Sequence, residues 1–270
     1  MDFLTAIVLG WVQGVTEFLP VSSTGHLILA RELFSLESGT GDLAFDAVLH
    51  LATLCAILLY FHKDILGLIH TTFRMVGRLP VDTRDVFLIK ALIYGTIPAV
   101  VCGFLLEDTM ETAFRSPILV AVVLLVGSAI FAYAEYMQAH GERKAITPQL
   151  GFKVGLFQVL ALIPGMSRSG ITIAGGLILG LTRFEAARFA FLLAIPVMLG
   201  GGGKKLLELM GDSSGGVNWL SVGAGAVTAF VVGLLAIHFM MNFLRKYSLW
   251  PFIWYRVLLA IFVIALVFFE

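Results

Sequence analysis

Apolar residues run along the chain in blocks separated by short polar intervals. Six blocks are long enough to cross a bilayer, which takes about 20 residues per helix. They fall near residues 43–61, 86–106, 117–137, 184–203, 217–239 and 251–269, and each predicts a membrane-spanning helix. Two further apolar stretches, about 1–34 and 151–181, are interrupted by the polar turns LPVSSTGH at 19–26 and IPGMSRSG at 163–170. Each half is too short to span, so both stretches predict re-entrant helix–turn–helix hairpins. Non-helical backbone at that depth is tolerated only where protein or a water-filled cavity satisfies it. The expected fold class is an all-α polytopic membrane protein, six transmembrane helices plus two re-entrant hairpins, forming a single integral membrane domain over 1–270.

Composition strengthens the membrane assignment. Of 270 residues, 59% are hydrophobic and 13% charged, and a soluble domain of that size could not keep so much apolar surface from water. The net charge of zero offers no field for nucleic acid. Cys55 and Cys102 lie in apolar stretches and are expected to be buried structural thiols, with no disulfide framework or cysteine-based metal site. The N-terminal segment begins with an acid, lacks a basic region, and carries Gln13 and Glu17 in its apolar run. It therefore reads as a structural element and not as a cleaved signal peptide.

Loop charge predicts the orientation. Residues 62–84 carry Lys63, Arg74, Arg78 and Arg84, 138–150 carries Arg143 and Lys144, and 240–250 carries Arg245 and Lys246. These three basic loops fall on one side, the expected cytoplasm, if the six spans alternate. The stretch 107–116 is acidic, with Glu107, Asp108 and Glu111 against Arg115. Lys204 and Lys205 fall on the outer side, offset by Glu208 and Asp212. The first hairpin then enters from outside and the second from the cytoplasm. Each is followed by a Phe-acid-Ala opening to a span, Phe45-Asp46-Ala47 and Phe184-Glu185-Ala186. An inverted repeat is expected, about 1–137 and 151–270, which places broken helices and their site near the bilayer midplane.

The candidate chemistry sits at the two breaks. Gln13 and Glu17 are four apart and share a helix face, and an acid inside an apolar segment is a functional candidate by default. Pro20 ends the first helix and restricts Leu19. Ser22, Ser23 and Thr24 offer caps to a second helix beginning near Gly25 and His26. The exposed N–H groups at that helix start make an anion site. His26 lies three residues after Ser23, placed to act as general acid or base. In the second break Pro164 stops a helix, while Gly165 and Gly170 free the backbone. Ser167, Ser169 and Thr172 supply hydroxyls, and Arg168 supplies a planar cationic fork suited to phosphate oxygens. The structural alternatives are helix capping by the serines and a Glu17–Arg168 ion pair that merely holds the fold. Capping alone does not explain Glu17 and His26 at one depth. Asp46, His50, Lys90, Glu135 and Arg256 lie near span ends or inner faces. Lys90, Glu135 and Arg256 are read as interfacial snorkelling or structural pairs. Gly200 to Gly203 are expected to end a span flexibly, and Gly223 and Gly225 to allow close helix packing.

QGVTEFLPVSSTGH at 13–26 and PGMSRSGIT at 164–172 resemble the two signature motifs of the bacterial undecaprenyl pyrophosphate phosphatases of the BacA type. Length, span count and motif spacing match along essentially the whole chain. The resemblance implies hydrolysis of undecaprenyl pyrophosphate to the monophosphate and inorganic phosphate, recycling the lipid carrier of peptidoglycan. It also implies a bacterial inner-membrane location and a link to bacitracin resistance, since that drug sequesters the pyrophosphate lipid. The family's acidic motif is (Glu/Gln)-x-x-x-Glu, so Gln13 fits a variant but cannot serve as an acid.

On this basis Glu17, Ser23, His26 and Arg168 are the expected catalytic residues. Gln13, Ser22, Thr24, Gly165, Ser167, Ser169 and Thr172 are the expected phosphate-binding residues. A phosphoserine on Ser23 and direct attack by water activated by Glu17 and His26 both remain open. No cofactor is demanded; a divalent cation (Mg or Ca) bridging pyrophosphate and Glu17 is the one considered. The expected partners are a polyprenyl pyrophosphate lipid and membrane lipid, with no nucleic acid, and with a homodimer left open. The site is expected to face the periplasm. The competing functions are a lipid-carrier flippase or secondary transporter of an anionic substrate, and an anion channel. The Ser/His/Glu/Arg combination favours hydrolysis over both.

Overall fold

A computed structural model of the chain describes residues 2–33, 40–113, 116–211 and 218–269, and their regular structure is eleven α-helices. In chain order these are α1 (Phe3–Phe18), α2 (Ser23–Leu33), α3 (Thr40–Tyr60), α4 (His62–Val76), α5 (Thr83–Ala113), α6 (Pro117–His140), α7 (Pro148–Leu160), α8 (Arg168–Ile178), α9 (Arg183–Gly211), α10 (Trp219–Lys246) and α11 (Trp250–Phe269). Five of them, α5, α6, α9, α10 and α11, are long and apolar enough to cross a membrane. The sixth expected span, 43–61, is α3, which turns by 75° at Phe61 into α4. The region read as a basic loop, 62–84, is thus largely helical. Its helix exposes Leu66, Ile69 and Phe73, while Thr71 on the other side is buried and donates to Asp85 (3.3 Å). A mixed apolar and basic face is what an interfacial helix carries, and it hides from a simple apolar-run criterion.

Both broken stretches form the expected hairpins. Asp2 caps α1 by accepting from the Thr5 N–H (2.7 Å), and α1 stops where Leu19 turns extended before Pro20. Thr147 caps α7, accepting from the Leu150 N–H (3.2 Å), with Pro148 in the first turn. The hairpins are held by close helix crossings. On α1, Gly10 meets the backbone of Gly225 and Gly14 meets Ala229 and Gly233, all on α10. On α7, Gly151 meets Ala91 and Gly155 meets Gly95, both on α5. A β-carbon at any of these four glycines of α1 and α7 would run into the facing backbone. Lipid gives helices no hydrophobic reason to associate, so small residues at the crossing supply the attraction by packing. Gly225 packs as expected, whereas Gly223 faces open space.

Other expectations change. Gly200 to Gly203 continue α9 without a break, because an interrupted backbone would leave unsatisfied groups in an apolar setting. Cys55 is exposed and Cys102 intermediate, a position open to a small apolar side chain where the surroundings are lipid. The acidic side chains of 107–115, with Lys204, Lys205, Glu208 and Asp212, lie outside the described residues. The basic ends cluster as the loop pattern predicts: Glu135 on α6 accepts from Arg183 at the start of α9 and from the Leu249 N–H (2.7 Å). The Lys144 N–H donates to the Gly180 carbonyl (3.0 Å), and Arg245 lies 4.4 Å over the Phe184 ring. Glu135 is therefore a structural ion pair.

Candidate active site

The two breaks are built alike. Ser22 and Ser167 each hold a positive φ (78° and 74°), a conformation costing a non-glycine residue about 1–3 kcal/mol. Each serine Oγ accepts from the N–H three residues on, Gly25 (3.3 Å) and Gly170 (3.2 Å), and so caps the helix that follows. The next residue opens the helix: Ser23 in α2 and Arg168 in α8. The strained cap fixes the direction in which that first side chain leaves, and both reach the same carboxylate.

That carboxylate is Glu17, whose side chain is 3% exposed. Its Oε2 accepts from Ser23 Oγ (2.7 Å) and from Gln13 Nε2 (2.8 Å), and its Oε1 accepts from the guanidinium of Arg168. His50 on α3 joins the group. Its Nδ1 lies 3.1 Å from Gln13 Nε2 and 3.5 Å from Glu17 Oε2. Gln13 Oε1 is buried and has no hydrogen-bond partner among the described residues. A small cavity of about 10 Å³ abuts Glu17, Arg168 and Ser169 and is walled by Phe18, Ile57 and Phe191, room for about one water. Four expected residues, Gln13, Glu17, Ser23 and Arg168, thus converge on one point from the two hairpins.

The other expected residues divide differently. Ser22 and Ser167 spend their hydroxyls on the caps. Ser169 Oγ donates to the Leu19 carbonyl (3.2 Å), tying one turn to the other. Thr172 Oγ1 donates back to the Arg168 carbonyl (2.7 Å) and faces its own helix. Gly165, at φ 96°, occupies a backbone region L side chains rarely adopt and presents its carbonyl to Arg256 (3.2 Å). Thr24 is exposed at the mouth of the first turn. His26 turns away from Ser23: Nδ1 donates to the Ser22 carbonyl (2.7 Å), so Nε2 of the neutral ring accepts from Tyr255 OH (2.7 Å).

Three residues enter that the sequence did not single out for the site: His50, Tyr255 and Arg256. Arg256 is no snorkelling side chain, since it has no exposed surface and donates to four acceptors in the interior. Among the described residues no three His, Cys, Asp or Glu side chains come together as metal ligands. Among the described residues Glu17 is the only carboxylate at this point, and both its oxygens already accept from protein donors. This donor set does not fit a resident divalent cation, which takes several oxygen ligands.

Residues 6–262 match the family described as Bacitracin resistance protein BacA. The chain belongs to the BacA family. Relatives named undecaprenyl-diphosphatase include one from Rubrobacter xylanophilus, 41% identical over 274 residues and covering 98% of both chains. One from Saccharophagus degradans is 40% identical over the whole of both chains. Another, from Desulforudis audaxviator, is 42% identical over 268 residues, 98% of each. The alignments with these three relatives cover 98–100% of each chain.

Proposed function

We propose that this multi-pass membrane protein is an undecaprenyl-diphosphate phosphatase, hydrolysing undecaprenyl pyrophosphate to undecaprenyl phosphate and inorganic phosphate. The observation that carries the reading is the single carboxylate shared by Ser23 of one break and Arg168 of the other. Ser23 is placed against a base, and a planar cation stands beside it where a phosphoryl group would transfer. Phosphoryl transfer needs little more than such positioning and charge stabilisation.

In the proposed sequence Ser23 Oγ attacks the terminal phosphorus. Its proton passes to Glu17, the bond from that phosphorus to the bridging oxygen breaks, and undecaprenyl phosphate leaves with the bridging oxygen. Arg168 and the N–H groups at the starts of α2 and α8 hold the phosphate oxygens. Water then attacks the phosphoserine and the Ser23 Oγ–phosphorus bond breaks. Glu17 returns its proton to Ser23 Oγ, one water proton stays on the released phosphate, and the other leaves through the Glu17–His50 pair to solvent. The 2.7 Å bond from Ser23 to Glu17 supports this route over direct attack by water, and Glu17, rather than His26, takes the place of base. We place the site on the periplasmic side of a bacterial inner membrane, because Arg143, Lys144, Arg245 and Lys246 gather at the other end. The two halves then form an inverted repeat, which the paired crossings α1–α10 and α7–α5 support. A homodimer is compatible with this arrangement.

Acid quenching during turnover tests the covalent step. Phosphate should be found on Ser23 by peptide mass spectrometry, and Ser23→Ala should turn over at least about 100-fold more slowly. Turnover by Ser23→Ala at the parental rate would sink the phosphoserine route. A flippase or transporter of the same lipid would release no phosphate at all.

A further inference from the structure

Two consecutive residues of α11 grip the two breaks separately. Tyr255 donates to His26 Nε2 (2.7 Å) and lies parallel to its ring, the centroids 5.6 Å apart. His26 in turn holds the Ser22 carbonyl, immediately before Ser23. Arg256 donates to the carbonyls of Gly165 and Met166, both at 3.2 Å and just before Arg168. Its remaining contacts are on α6: the Leu124 carbonyl (3.2 Å), Ser128 Oγ (3.3 Å) and the face of Phe131, 4.7 Å away. Gly127 leaves the space this guanidinium fills, because any β-carbon there would meet it. Among the described residues no carboxylate pairs with Arg256. A purely structural brace inside a membrane protein is better made of apolar packing, because an uncompensated buried charge costs several kcal/mol. Spanning carbonyls of a turn and a neighbouring helix at once needs the rigid fork of arginine, which lysine lacks.

We propose that Tyr255 and Arg256 are positioning residues that set the register of the two hairpins, so that Ser23 and Arg168 meet at Glu17. The proposal rests on the phosphatase reading for its kinetic consequence, but the register itself can be measured without turnover. A misplacement of about 1 Å at a reacting group lowers rate by roughly 100-fold. Purified protein in detergent with undecaprenyl pyrophosphate should therefore show kcat lowered about tenfold or more in Tyr255→Phe and about 100-fold in Arg256→Lys. KM should stay within about twofold of the parent, and the melting temperature of Tyr255→Phe should be unchanged. Tyr255→Phe at parental kcat in an active preparation overturns the proposal, as does an Arg256→Lys loss accounted for by its unfolded fraction. The activity-independent readout is disulfide formation between Leu19→Cys and Ser169→Cys in a background lacking Cys55 and Cys102, since these positions touch across the two turns. Its rate should fall severalfold when Arg256→Lys is added, and an unchanged rate refutes the register role. A parent that releases no phosphate, with a cross-link that still depends on Arg256, sinks the phosphatase reading alone.

Discussion

Replacing Glu17 by glutamine keeps the size of the side chain and removes its charge. Three donors meet this carboxylate: Ser23, Gln13 and Arg168. A glutamine amide can still accept from Arg168, but it cannot take the Ser23 proton. General-base catalysis contributes about 10²–10⁴-fold, so kcat of Glu17→Gln should fall by roughly 10³, equivalent to about 4 kcal/mol of barrier. Binding should change in the opposite sense. Arg168, now held by a neutral amide and not by a carboxylate, is more readily drawn to the pyrophosphate, so KM should stay level or fall. The assay is phosphate release over a range of lipid concentrations, with the folded fraction checked by size exclusion. A kcat within tenfold of the parent, or a loss carried only by KM, would refute Glu17 as the base and leave it a structural partner of Arg168.

Three further outcomes follow from the same geometry. Gly155→Val places a branched side chain against the Gly95 backbone; overpacking should cost about 1–3 kcal/mol or more, seen as a lower melting temperature in detergent. Glu135→Ala removes the acceptor of Arg183 and of the Leu249 N–H and should destabilise by about 2 kcal/mol, while kcat per folded molecule stays parental because the pair lies outside the site. Adding a chelator should leave lipid binding by the protein intact, since both Glu17 oxygens already accept from protein donors; loss of binding would show that a cation takes part in it.

The membrane fold and both breaks were legible because their signals are local. Pro20 and Pro164 end helices wherever they fall, and serine three residues before glycine caps the next one in each turn. The convergence of Glu17 with Ser23 and Arg168 followed from placing the two turns at one depth. What escaped was direction. His26 is near Ser23 along the chain, yet its ring is claimed by Tyr255, 229 residues away, and no spacing rule reports such a partner. Arg256 in an apolar helix reads as interfacial because hydropathy gives depth and not the face a side chain takes. His50 reads in the sequence only as an intramembrane polar residue, because its contact with Gln13 spans 37 residues. The helix α4 was hidden by the basic residues that suit it to the interface, and the four glycines of α9 stay helical because the bilayer offers their backbone no other partner.

Phosphate release from undecaprenyl pyrophosphate by the purified parent and by Arg168→Ala, side by side, tests most directly whether the two breaks form one phosphatase site. The parent should yield one phosphate per lipid with the monophosphate lipid as co-product, and Arg168→Ala, folded and membrane-inserted, should lose nearly all of that activity. Hydrolysis by Arg168→Ala at the parental rate, or a parent that binds the lipid and releases no phosphate, would contradict it.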